Sequence, residues 1–85
     1  MALEIVSEEG SHRLVRDGRR WAVIEVRGER VLAAAARGER GDAPDTTEGM
    51  TRVIEEVEGW RSESTARRRF RGLVDEGEKL SRIIW

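Results

Sequence analysis

The chain changes hydrophobic period part-way along. Up to residue 36, apolar side chains alternate with polar ones or form short runs; from residue 45 they recur at helical spacing. Residues 3–6 form a short apolar segment, and Ser-Glu-Glu-Gly-Ser at 7–11 reads as a polar turn. Residues 12–16 lead into Asp17-Gly18, a dipeptide that favours a type I′ hairpin between alternating strands. Residues 19–27 carry Trp21, Ala22, Val23, Ile24 and Val26 and predict the third strand. Gly28-Glu29 places glycine first, as a type II′ turn requires. Residues 30–36 complete the set, although the alanines at 33–36 favour helix intrinsically.

Residues 37–44 hold two glycines, the only proline and no apolar side chain beyond Ala43, so they read as a flexible connector. Asp45 is placed to cap a helix, with Glu48 closing the capping box from three residues on. Met50, Val53, Ile54 and Val57 follow at i, i+3, i+4 and i+7, which is one helical face. Gly59 reads as its stop. Ser62 or Ser64 can start a second helix with Ala66, Phe70, Leu73 and Val74 inward and Gly77 as its end. Leu80, Ile83, Ile84 and Trp85 form an apolar tail, either a last helical turn or a strand.

The turns fix the faces, because side chains alternate along a strand. With Asp17-Gly18 central, Val15 pairs with Arg20 and Leu14 with Trp21. With Gly28-Glu29 central, Val26 pairs with Val31 and Ile24 with Ala33. One face then carries Val15, Ala22, Ile24, Val26, Val31, Ala33 and Ala35, joined by Leu3 and Ile5, and is the expected core under two helices. The other carries Leu14, Trp21, Val23 and Leu32, ringed by Arg16, Glu25, Arg27 and Arg30. A sheet face open to water should be mostly polar. Three occupants therefore compete for this one: a second copy of the chain, a helix or the apolar tail, or a ligand stacked on Trp21. The expectation taken forward is a homodimer through Leu14, Trp21, Val23 and Leu32, since C2 pairs are the commonest oligomers and a small core gains from one.

Composition narrows the function classes. At 85 residues the chain is one domain at most. It has 16 basic and 17 acidic residues, a formal net charge of −1, which excludes a histone-like polycation. Cysteine is absent, so there is no disulfide, cysteine zinc site or thiol nucleophile. No apolar run approaches a membrane span, and residues 1–10 carry Glu4, Glu8 and Glu9 with no basic residue ahead of their apolar residues, unlike a signal peptide. A cytoplasmic location fits. His12 is the only histidine, which leaves no triad and no histidine-based metal site. No carboxylate lies in an apolar setting that would suit it to acid–base work. Neither a catalytic residue nor a metal or other cofactor is assigned.

Arginine supplies all the basic residues but Lys79. The sharpest charge cluster is Arg67-Arg68-Arg69-Phe70-Arg71, with Arg67 and Arg71 on one flank and Arg68 and Arg69 pointing outward. Residues 64–77 resemble the recognition helix of a winged helix-turn-helix domain, with a hydroxyl residue, arginines, an apolar pair and an acidic-glycine end. Only one helix precedes them and little chain remains for a wing, so the family is not assigned. A solvated helix face is the plainer reading of these arginines: Glu63 and Arg67 are a favourable i, i+4 pair, and Arg71 could meet Asp75. The alternative is phosphate binding by Arg67, Arg68, Arg69 and Arg71.

The expected protein is thus α+β: a four-stranded antiparallel meander at 1–36, a connector at 37–44, and two helices in 45–85 on one sheet face. Its expected role is a non-enzymatic interaction module, with itself or another protein as partner and nucleic acid as the alternative.

Overall fold

In the computed structural model, which describes residues 3–33, 42–56 and 60–84 (side chains of the last stretch through residue 76), a five-stranded antiparallel sheet is flanked by two helices. The strands are β1 (Leu3–Glu9), β2 (His12–Asp17), β3 (Arg20–Arg27), β4 (Arg30–Ala33) and β5 (Asp42–Pro44), and they neighbour one another in that order. Helix α1 spans Thr47–Glu56 and α2 spans Glu63–Ile84. The α+β meander is as the pattern predicts. Ala35, Val57, Gly59 and Trp85 lie outside the described residues.

Each of the first three hairpins turns on a glycine in the first central position: Gly10, Gly18 and Gly28, with φ of 60°, 64° and 59°. The left-handed φ is open to glycine and strained for residues with a Cβ. At the second hairpin this moves the turn one residue on. Gly18-Arg19 is central, Asp17 pairs with Arg20, and Leu14 meets Val23 where Trp21 was expected. The partner shifts by two residues, and a shift of two preserves the face. The β3–β4 register, with Arg27 opposite Arg30 and Ile24 opposite Ala33, is as expected.

Strand β1 takes up the first three residues of the expected turn at 7–11, leaving Gly10-Ser11 as the turn itself, and has a bulge at Val6. The extra residue brings Ser7 opposite Leu14 and Glu8 opposite Arg13. Val6 packs towards Leu14, Trp21 and Val23, while Ile5 stays 44% exposed at the sheet edge and does not join the core. The bulge and the outward Glu4 and Glu8 blunt this edge against pairing with another chain.

The end of the expected connector is the fifth strand. Ala43 sits opposite Val31, buried, and Arg30 Nε donates to Asp42 Oδ1 at 2.9 Å. The proline is tolerated because β5 is an edge strand. From there the chain turns tightly into α1. Thr46, not Asp45, caps the helix: Gly49 N–H donates to Thr46 Oγ1 at 2.9 Å. Asp45 is occupied elsewhere, donating its N–H to Glu29 O and accepting Arg13 Nη1 at 2.7 Å.

The two helices take opposite faces rather than one. Met50, Val53 and Ile54 of α1 pack with Val15, Ala22, Ile24, Val31 and Ala43. Ala66, Phe70 and Val74 of α2 pack with Leu14, Trp21 and Val23. The physical reason is the apolar second face itself: a sheet apolar on both sides needs cover on both. Ser62 caps α2, accepting from Thr65 N–H at 3.3 Å. The helix passes through Gly77 and takes in Leu80, Ile83 and Ile84 as its last turns.

Candidate functional site

The surface expected to join two copies is occupied from within the chain. Leu14 and Val23 are fully buried and Trp21 is 6% exposed, all beneath α2. Leu32 is half-buried beyond them, opposite Glu25 and Asp42. Trp60 fixes the approach of α2. Its carbonyl accepts Trp21 N–H at 2.5 Å, and it packs against the same cluster. Trp21 therefore offers no open stacking platform. The faces at its ring are met by Arg16 and Arg67, whose guanidinium carbons lie 5.4 and 5.8 Å from the ring centre.

The arginine cluster on α2 splits by what each side chain touches. Arg67 Nε donates to Glu63 Oε2 at 2.7 Å, the i, i+4 pair expected. Arg71 reaches across to β1 rather than to Asp75, with Nη2 2.7 Å from Glu9 Oε2. The bulge at Val6 makes this contact by placing Glu9 opposite His12 on the α2 side. The Glu9 oxygen lacks hydrogen-bond geometry, so the contact is an ion pair without a directed bond. Arg68 and Arg69 point outward with no ion-pair partner among the described residues. They border an open hollow of about 430 Å³ with Gly72, Leu73 and Glu76.

The same division runs through the molecule. Arg13, Arg16, Arg27 and Arg30 pair with Glu8 and Asp45, Glu4, Glu25 and Asp42 respectively. Arg13 is the most enclosed, with a side chain 15% exposed. Its hydrogen bonds to Asp45 first and Glu8 second hold its pKa above the ordinary value. That contribution to stability is present at every pH below the ordinary arginine pKa and is lost only as pH rises through the still higher folded value. Arg27 is likewise raised by its bond to Glu25. Arg19, Arg20, Arg52, Arg61, Arg68 and Arg69 are exposed and make no ion pair among the described residues. Sequence reasoning did not single out Arg19 and Arg20. The available signal was their place beside a glycine turn.

His12 is half-buried in the ladder between Glu9 and Glu25. Among the described residues no group of three His, Asp or Glu side chains is placed to hold a metal ion, and no helix is long and apolar enough to cross a membrane. What the α2 surface offers is a pair of guanidinium forks, which match the oxygens of phosphate or carboxylate. Comparison with protein-family models, curated proteins and solved structures gives no match to this chain.

Proposed function

We propose that this protein is a small, non-enzymatic, cytoplasmic binding module that engages the phosphate backbone of nucleic acid through Arg68 and Arg69 of α2. The observation that supports it is the split within one cluster. Arg71 pairs with Glu9 of β1 and Arg67 with Glu63 of its own helix and the ring of Trp21, while their neighbours face water with Glu76 as the one acidic group lining the hollow among the described residues. The partner-facing charge is therefore two arginines, half of the four in the cluster. Homodimerisation through Leu14, Trp21, Val23 and Leu32 would require α2 to leave the sheet, so this reading needs no second copy.

The test is fluorescence anisotropy with labelled single- and double-stranded DNA and RNA at two salt concentrations. Two phosphate contacts give a log–log salt slope of about −1.4 to −1.8, and an affinity in the non-specific range of roughly 10⁻⁴–10⁻⁶ M. Arg68→Glu with Arg69→Glu should abolish binding with the circular dichroism spectrum unchanged. Binding that survives this double change would sink the proposal.

A further inference from the structure

A second group of arginines, without an ion-pair partner among the described residues, sits just ahead of α2, where the β2–β3 hairpin meets the end of α1. Arg19, Arg20 and Arg61 border an open hollow of about 570 Å³ together with Asp17, Gly18 and Glu55. Three different segments supply these residues. Arg19 is the second central residue of the glycine turn and Arg20 opens β3. Arg61 stands beside Trp60, whose carbonyl is bonded to Trp21 N–H, so its backbone is tied to the start of β3.

We propose that this hollow is a phosphate-binding site, with Arg19, Arg20 and Arg61 as the ligating side chains. Among the described residues three guanidinium groups outnumber two carboxylates there. Each guanidinium presents a planar fork of donors that matches phosphate oxygens. The backbone supports them. In a two-residue hairpin loop the central N–H groups lie outside the strand ladder, so those of Gly18 and Arg19 remain available to an anion. Asp17, Glu55 and the carbonyl end of α1 oppose the charge. They set the affinity low and make it sensitive to removal of either carboxylate. The site is independent of Arg68 and Arg69 and stands whether or not those residues bind nucleic acid.

The phosphate has two sources, a small phosphate compound or the backbone of a nucleic acid, and two probes separate them. Inorganic pyrophosphate and a short single-stranded oligonucleotide are each titrated into the labelled protein while the Gly18 and Arg19 amides and the Arg19, Arg20 and Arg61 Nε–H signals are followed by NMR. Saturable millimolar shifts at these signals with pyrophosphate assign a site for small phosphates. Shifts with the oligonucleotide alone assign a backbone contact. Arg19→Gln with Arg61→Gln should weaken either response about tenfold or more, since a hydrogen bond to a charged group contributes roughly 1.5–3 kcal/mol. Arg68→Gln with Arg69→Gln should leave the pyrophosphate response unchanged, and Glu55→Gln should strengthen it. Absence of shifts at these five signals with both probes overturns the inference. So does a response that the Arg19 and Arg61 double change leaves intact.

Discussion

The two faces of this sheet hold their helices by different means. On the α1 face the side chains are small and aliphatic, and backbone fits against backbone. A Cβ built on Gly49 would lie 1.9 Å from the Pro44 carbonyl oxygen. Arg13 ties β1, β2 and the start of α1 together through Glu8 and Asp45. On the α2 face a few large rings carry the contact, chiefly Trp21 and Phe70, and arginines seal its margin. Close backbone packing leaves α1 little freedom in its seat. Ring packing with exposed ion pairs leaves the outward side of α2 free to vary, and that side carries the arginines that have no ion-pair partner among the described residues.

The comparison is broken most directly at Trp21. Trp21→Ala should destabilise the fold by about 3–5 kcal/mol in urea unfolding, because it removes the one indole buried under α2 among the described residues. A loss under about 1 kcal/mol would mean that α2 is not held by that ring. The next effect is smaller and tests the other face. Gly49→Ala should cost about 1–3 kcal/mol, since the methyl group meets backbone that must shift. Gly72 is the matched control, in the middle of α2 with nothing within 4 Å of an added Cβ. Gly72→Ala should stabilise by about 0.5–1 kcal/mol through the unfolded chain and better helix propensity. Equal signs at the two glycines would erase the contrast between the helices. Smallest of all, Arg68→Ala and Arg69→Ala should each change the unfolding free energy by no more than about 0.5 kcal/mol. A larger loss would give these arginines a role in stability and weaken the case that they face a partner.

The faces of the sheet were legible in the sequence because they depend on parity alone. Val15, Ala22, Ile24 and Val31 lie together even though the β2–β3 pairing moved by two residues. The register itself was misread because Asp17-Gly18 suits one turn and glycine-first geometry suits another. Gly28, and then Gly10, show which rule this chain follows. Strand β5 was illegible for a different reason. A three-residue strand with a proline has no period, and only the free edge of β4 recruits it. Which helix takes which face is also absent from periodicity, since both carry equivalent apolar stripes. The apolar second face was the visible clue, and the choice between a second copy and α2 rested on geometry the pattern does not contain. Of the arginines proposed to meet phosphate, those on α2 could be named in advance. Their division into tethered and untethered depended on Glu9, which only the bulge at Val6 aims towards Arg71.

The cover over Trp21 has a consequence for synthesis. The meander is built of neighbouring hairpins and can form early, whereas α2 follows it in the order of the chain. At about 5–20 residues per second, the ribosome holds back the cover for seconds after the sheet has emerged. During that interval Leu14, Trp21 and Val23 form a bare greasy surface on a nascent chain. A chain that stops before Ser62 should bind a hydrophobic dye, and one with α2 complete should not.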